Sequence, residues 1–336
     1  MNAEMAQLGT RLALAEMIRS GTTCFADMYY FEDLVAGVCK EAGIRAMLCE
    51  GMVDFSTPNC KTPEEGLQYT ENLLVKYNDD ELISIGVAPH ALYSCSKDLL
   101  KSAKKLADKY NSLLHIHIAE TAWENEELKK AKGLSPGEYL YDLGFFESKL
   151  LAAHAIYLSE KDMNMFAEYN TGIAHNPQCN MKLASGIAPI PLYLEKGINV
   201  GIGTDGVVSN NDLDMVDEMR TAAFLHKVHN NDPAVISAKK ALELSTIDGA
   251  KVLGLDQQTG SLETGKKADL IIVDLNKPHM VPVFNNYSNI VYCMKSSDVE
   301  TSIINGKIVM ENYKLLTIDE KRLIHEVKEA AKNIRL

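Results

Sequence analysis

The stretch Leu113–Glu120, LLHIHIAE, decides the fold of this 336-residue chain. It is a short apolar run that carries two histidines and ends on a carboxylate, which is typical of a buried parallel strand leading into an active-site loop. Because side chains alternate along a strand, His115 and His117 face the same side, and Glu120 falls where the strand ends. An imidazole is a good ligand for a divalent metal, and a nearby carboxylate can move protons. A lone His-x-His is more often explained by packing, so this interpretation depends on the other strands.

Strand and helix patterns alternate on both sides of this stretch. Strand patterns begin near residues 22, 45, 83, 113, 150, 172 and 200, and all but the one near 172 are followed by a helical pattern. Such alternation predicts parallel β/α units, and polar residues gathered at the strand ends are typical of a (β/α)8 barrel. Seven strands are one fewer than a closed barrel needs, so we expect a barrel whose first strand is missing.

The pattern changes after residue 256. Short strand-like runs alternate with turn residues over 257–316, and Asn305-Gly306 between two apolar runs predicts a hairpin. We therefore predict an α/β architecture of three parts: a (β/α) barrel over 1–256, a small β-sandwich subdomain over 257–316, and a C-terminal amphipathic helix over 317–336. The small subdomain is expected to be incomplete without upstream strands.

Composition narrows the possible partners and the compartment. The net charge of −12 disfavours nucleic acid and anionic membranes as partners. No apolar run approaches the roughly 18 residues of a membrane-spanning helix, and Met1–Gly21 lacks the apolar centre of a signal peptide. Seven cysteines without a C-x-x-C pair favour reduced thiols. We expect a cytoplasmic globular protein.

Six polar residues fall at predicted strand ends and are candidates for one shared site: His90, His117, Glu120, His154, His175 and Asp205. Each alone has an ordinary structural explanation, since histidines occur in cores and an Asp-Gly step is common in turns. Six coincidences at five strand ends are less plausible than one pocket.

Several motifs containing these residues resemble the amidohydrolase superfamily, in particular the methylthioadenosine/S-adenosylhomocysteine deaminases and the related cytosine deaminases and triazine chlorohydrolases. The resemblance covers almost the whole chain. It depends on LALAEMIRSGTTCFADMYYF (12–31), APHALYSCS (88–96), HIHIAET (115–121), AHNPQCNMKLASGIAPI (174–190), GIGTDGVVSNND (201–212) and GKKADLIIVDL (265–275).

The resemblance implies a role for each candidate. His117 and Asp205 match ligands of one divalent metal, usually zinc, while Glu120 matches the proton shuttle and His154 the histidine beside the attacked carbon. His90 matches the substrate-binding histidine, and Glu120 and Asp205 also face the substrate. In that chemistry the metal lowers the pKa of a bound water towards about 7. Asp205 accepts its proton, Glu120 protonates a ring nitrogen and the departing ammonia, and His154 steadies the developing charge.

The sequence departs from the family at its beginning. The family's first barrel strand carries a separate His-x-His with two metal ligands, and no such motif precedes the helix that starts this chain. Only two of four expected ligands remain, so we expect weak zinc binding. We favour a truncated form of a longer enzyme over a short protein that has lost catalytic activity, because Glu120, His154 and Asp205 are retained.

A second departure concerns the substrate. Relatives that accept S-adenosylhomocysteine hold its carboxylate with arginines, yet no arginine lies between Ala46 and Pro89, and Glu50 stands near the expected place. Adenosine, 5′-deoxyadenosine or methylthioadenosine are therefore the favoured substrates. Two alternatives stay open: another amidohydrolase of the guanine deaminase or triazine chlorohydrolase type, and a truncated, non-catalytic nucleoside-binding subunit. The sequence leaves homo-oligomer formation open.

Overall fold

A parallel sheet forms the centre of the computed structural model, which describes residues 1–332. Its seven strands pair in chain order: β1 Cys24–Tyr29, β2 Arg45–Met52, β3 Ile83–Pro89, β4 Leu114–Ile118, β5 Leu150–His154, β6 Gly172–His175 and β7 Asn199–Ile202. Every neighbouring pair is parallel. Each strand begins within two residues of its predicted start, which confirms the (β/α) barrel architecture. Within the described residues β1 and β7 each pair with a single neighbour.

Helices follow the strands and cover the outer face of the sheet. Six of them begin at a serine or threonine whose side chain accepts a hydrogen bond from the first turn, as at Thr62, Ser96 and Thr121. They are α1 Ala3–Ser20, α2 Glu32–Ala42, α3 Pro63–Lys76, α4 Lys97–Tyr110, α5 Ala122–Lys132, α6 Pro136–Asp142, α7 Glu160–Glu168, α8 Pro177–Lys182, α9 Ile190–Glu195, α10 Met215–Asn230, α11 Ala238–Leu244, α12 Ile247–Val252, α13 Asn286–Ser288 and α14 Glu320–Ala331.

The two faces of β4 show how the sheet divides the core. Leu114, Ile116 and Ile118 are fully buried in the large apolar layer between sheet and helices. His115 and His117 lie on the opposite face, as the alternation predicts. Replacing Ile116 with alanine would cost about 2–5 kcal/mol, because the packed layer cannot close the cavity.

A four-stranded antiparallel sheet forms the small β subdomain. Its strands are β8 Leu270–Val273, β9 Val299–Ile304, β10 Lys307–Glu311 and β11 Lys314–Leu315, in the order β11-β10-β9-β8. Asn305 (φ 49°) and Gly306 (φ 74°) join β9 to β10 with the two positive φ angles of a tight hairpin turn, as predicted.

The small sheet is attached to the barrel by a buried ion pair. Arg45 at the start of β2 binds Asp269 through two hydrogen bonds of 2.6 and 3.1 Å, and both side chains are almost fully buried. On the other side Ser302 donates to the carbonyl of Ile18 at 3.0 Å. The proposed boundaries at residues 256 and 316 stay a prediction. Among the described helices none is long and apolar enough to cross a membrane.

Candidate active site at the carboxyl ends of the strands

Five of the six candidate residues meet above the carboxyl ends of β3 to β7. The imidazole rings of His90, His117 and His154 form a row, with centroid distances of 4.8 and 5.5 Å. The Nε2 atom of His154 lies 3.8 Å from Glu120 Oε2 and 3.8 Å from Asp205 Oδ2. Separate strands therefore bring two carboxylates to one imidazole.

His175, the sixth candidate, lies deeper and away from this row. Its Nε2 is 3.0 Å from Nε2 of His226 on α10, and both rings are buried. Burial, followed by the neighbouring His226, lowers the pKa of His175 far below its ordinary value. The pair therefore consists of neutral rings that support the base of the site.

Hydrogen bonds fix which nitrogen of each central histidine is free. Nδ1 of His117 lies 2.8 Å from the carbonyl oxygen of His90, which can only accept, so Nδ1 carries the proton. Nδ1 of His154 lies 2.9 Å from Oδ1 of Asn180, with the same result. In both rings Nε2 is therefore the nitrogen left to face the site. Burial, then the proximity of His154, lowers the pKa of His117, which keeps the ring in the neutral form that binds metals.

The backbone is strained where these side chains leave their strands. Ala119, His154 and Asp205 have φ values of 50°, 70° and 63°, in the left-handed region that non-glycine residues seldom adopt. Each such residue costs about 1–3 kcal/mol, and strain of this kind clusters at functional sites. The sharp turns direct Glu120, His154 and Asp205 inwards.

Asp205 is held as a carboxylate by several donors. Cys179 Sγ lies 2.8 Å from its Oδ2, and the backbone N–H of Gly206 donates to Oδ1 at 2.6 Å. Burial opposes ionisation, but these hydrogen bonds and the nearby histidines outweigh it and lower the pKa of Asp205. Burial and the adjacent carboxylate raise the pKa of Cys179 to about 12, so the thiol keeps its proton and donates.

The donor set suits a zinc ion. Donor atoms of His154, Cys179 and Asp205 lie within 4.8 Å of one another, and imidazole, carboxylate and sulfur are the ligands that zinc prefers. The ligands predicted in the sequence analysis are His117 and Asp205. The distances between donor atoms, taken alone, select His154, Cys179 and Asp205 instead. We retain His117, because its free Nε2 adjoins the same space, and assign Cys179 to support of Asp205, because its thiol is protonated.

Glu124 supports Glu120 from the first turn of α5. Its Oε2 accepts a hydrogen bond from the backbone N–H of Glu120 at 3.0 Å, and its own N–H donates to Thr121 at 3.2 Å. The Glu124 side chain is buried, and its Oε1 has no hydrogen-bond partner. Burial raises the pKa of Glu124 to about 7. The arrangement fixes the end of β4 beside the reaction site.

The sequence interpretation missed three residues of the site: Cys179, Asn180 and Glu124. All three lie in or beside the motifs that carry the resemblance. Cys179 and Asn180 follow β6 by only a few residues, yet they contact side chains at the ends of other strands. A Thr-x-x-Glu capping pattern at residues 121–124 was the one available signal for Glu124.

Comparison with known proteins agrees with this geometry. The family model described as the amidohydrolase family matches residues 1–309. A 5-methylthioadenosine/S-adenosylhomocysteine deaminase of Syntrophus aciditrophicus is 45% identical over 335 residues, covering 100% of this chain and 76% of the relative. A 5′-deoxyadenosine deaminase of Methanosphaera stadtmanae is 42% identical, covering 99% of this chain and 78% of the relative. The chain thus spans about three quarters of their length.

A solved structure shows the same fold. The adenosine deaminase from Xanthomonas campestris, crystallised with bound zinc, superimposes with a TM-score of 0.97 at 35% identity, over 99% of this chain and 76% of that one. The family resemblance and the barrel predicted from the sequence are confirmed. This chain belongs to the amidohydrolase family.

Proposed function

We propose that the protein is a metal-dependent hydrolytic deaminase of an adenosine-type nucleoside, which releases ammonia and the inosine analogue. The observation that carries this proposal is the placement of Glu120 and Asp205 at equal distances, 3.8 Å, from Nε2 of His154. The names of the similar proteins, which are deaminases of adenosine derivatives, support the same reaction.

His117 through Nε2 and Asp205 through its carboxylate are the residues that would hold the metal, as the sequence predicts. A divalent metal such as zinc, when bound, lowers the pKa of a coordinated water towards about 7 and so supplies a nucleophile at neutral pH. Both protein ligands are in the required state, since His117 is neutral and the pKa of Asp205 is lowered.

The protein side chains then move the protons. Asp205 takes a proton from the attacking water as its oxygen bonds to the amino-bearing ring carbon. Glu120 gives a proton to the adjacent ring nitrogen, takes up the remaining proton of the added hydroxyl, and passes that proton to the amino group. The carbon–nitrogen bond then breaks, the carbonyl forms and ammonia leaves, and the proton held by Asp205 returns to Glu120.

The geometry refines the role of His154. Because Nδ1 donates to Asn180, Nε2 is the nitrogen of His154 that faces the site. His154 therefore contacts the attacking water through Nε2 and steadies the charge that develops there.

The structure gives Glu50 a different role from the one suggested by its sequence position. Its side chain is buried, and its Oε2 accepts a hydrogen bond from the backbone N–H of Glu32 at 3.2 Å. Burial raises the pKa of Glu50 to about 7. Glu50 thus caps the beginning of α2.

The preference against a carboxylate-bearing substrate is supported instead by the loops around the site. Segments 90–96, 119–121, 155–159 and 203–214 contain no lysine or arginine. Methylthioadenosine, adenosine and 5′-deoxyadenosine fit such a site better than S-adenosylhomocysteine, whose carboxylate would find no cationic partner in these four segments. Lys182, in the segment after β6, donates to the carbonyl of Val208. The partner is thus a small nucleoside, and the free cysteines suit a reducing cytoplasm.

Ammonia release from the four nucleosides, measured with zinc added, tests the proposal. We expect turnover of the three uncharged-tail substrates, and its loss in Glu120→Gln and Asp205→Asn. Zinc content should fall in Asp205→Asn but not in Glu120→Gln, because only the aspartate is a ligand. Activity retained in both variants, or a preference for S-adenosylhomocysteine, would contradict this account.

A further inference from the structure

An exposed aromatic pair stands at the rim of the candidate site. Tyr93 lies in the loop after β3, three residues beyond His90, and Trp123 lies in the first turn of α5, three residues beyond Glu120. Their rings pack edge to face with centroids 6.1 Å apart, yet 55% of Tyr93 and 57% of Trp123 remain exposed. Large aromatic rings left in solvent beside a reaction site are typical of ligand-binding surfaces.

The pair extends the row of rings in the site. Tyr93 packs edge to face on His90 at 5.9 Å, and His90 in turn lies 4.8 Å from His117, which precedes His154. Trp123 and His154 are therefore the two ends of one row. The resemblance assigns substrate binding to His90, and the aromatic pair lies beyond His90 in this row, so a nucleoside whose amino-bearing carbon lies at His154 would extend its ribose towards the pair.

The charged groups around the aromatic pair limit the kind of ligand group that the pair can bind. The carboxylates of Glu120 and Glu124 are the charged groups that act on the Tyr93 hydroxyl. The loop that carries Tyr93, 90–96, contains no lysine or arginine, and neither does the segment 119–123 that leads to Trp123. An anionic group would be repelled here, whereas an uncharged apolar group would cover aromatic surface that is otherwise exposed.

The geometry points to Tyr93 and Trp123 as a subsite for an uncharged, apolar 5′ substituent of the nucleoside, such as a methylthio group. This inference rests on the proposed nucleoside deaminase function. It adds that the rim of the site recognises the 5′ substituent of the nucleoside. The rim pair thus distinguishes a methylthio-nucleoside from one with a 5′ hydroxyl, while His154 and the two carboxylates treat both alike.

The chain offers a direct probe, because Trp123 is its one tryptophan. Intrinsic fluorescence can be titrated with 5′-methylthioinosine and with inosine, which lack the 6-amino group and are not consumed. We expect a saturable change with methylthioinosine and a smaller one with inosine.

Alanine substitutions show whether Tyr93 and Trp123 contact the 5′ substituent. Equilibrium dialysis should show that Trp123→Ala and Tyr93→Ala weaken methylthioinosine binding about five- to tenfold and change inosine binding less than about twofold. Tyr141→Ala is the matched control, since Tyr141 is 53% exposed and packs edge to face on Tyr169 at 6.3 Å. Tyr141 precedes β5 and Tyr169 precedes β6, so this pair lies at the opposite end of the barrel, and no change is expected.

Each other outcome overturns the inference. Equal weakening of both ligands would mean that the pair contacts the base, and unchanged dialysis constants would mean that it contacts neither. Absence of saturable binding by either ligand would also exclude the subsite. Failure of the proposed function is seen separately, as absent ammonia release from adenosine and methylthioadenosine in the zinc-loaded wild type.

Discussion

Replacing Glu124 with glutamine should make the protein more stable, by an amount that depends on pH. Glu124 is 3% exposed, and burial raises its pKa from an ordinary 4.5 to about 7. One carboxylate oxygen accepts from the backbone N–H of Glu120, while the other has no partner. Glutamine has the same shape and keeps the acceptor, but it carries no titrating proton.

The direction of the pH effect on stability follows from how strongly Glu124 binds its proton in the folded and in the unfolded protein. Between pH 4.5 and about 7 the folded protein retains a proton on Glu124 that the unfolded chain has released. The wild type therefore loses stability as pH rises through this window, by up to about 1.4 kcal/mol per pH unit. The two proteins should be about equally stable near pH 4.5, and Glu124→Gln should be more stable by about 3 kcal/mol above pH 7. Other buried acids titrate in both proteins and cancel.

Urea-induced unfolding of both proteins, from about pH 5 to about pH 8, measures this difference. Glu127→Gln is the matched control, because Glu127 lies on the same helix with a 48% exposed side chain paired to Lys130. The difference in free energy of unfolding between the wild type and Glu127→Gln should not change with pH. A constant offset between wild type and Glu124→Gln, or a variant less stable at high pH, would refute the assignment of the raised pKa to Glu124.

Three further substitutions test contacts seen in the structure. Asn180→Ala removes the acceptor that orients His154, so ammonia release should fall about tenfold to a hundredfold in initial-rate measurements. Cys179→Ser keeps a donor to the metal-binding carboxylate, whereas Cys179→Ala should weaken zinc binding about tenfold or more in a chelator competition. Asp269→Asn leaves the buried Arg45 guanidinium without its carboxylate and should lower the free energy of unfolding by about 3–5 kcal/mol in denaturant titrations.

The strands could be predicted from the sequence because a buried strand has a recognisable local pattern of apolar residues. A short apolar run such as β4 lies between two helical patterns, and its two histidines show the period of two directly. The hairpin at Asn305-Gly306 was predictable for a similar reason, since both residues tolerate the positive φ that a tight turn requires. Polar residues at strand ends followed from parallel topology, which places all those ends at one edge.

Contacts between elements could not be predicted in the same way. Glu50 occupies the strand position at which an arginine was expected, but its side chain turns towards the first residues of α2. Cys179 and Asn180 are adjacent in sequence, yet one binds Asp205 and the other His154. The directions of Glu120, His154 and Asp205 depend on backbone turns with positive φ at Ala119, His154 and Asp205, and such turns at these residue types have no compositional signature.

The position of Asp205 depends on helices more than on its own strand. Within the described residues β7 pairs with β6 alone, so the loop after β7 receives no support from a second neighbouring strand. Asn210 supplies it, because its side-chain amide donates to the carbonyl of Thr204 at 2.7 Å and to buried Glu218 of α10 at 3.1 Å. Glu218 also accepts from the backbone N–H of Gln178, at the start of α8, at 2.8 Å. One buried carboxylate thus ties together the segments that carry Asp205 and its thiol donor, and this holds the strained backbone of Asp205 in place.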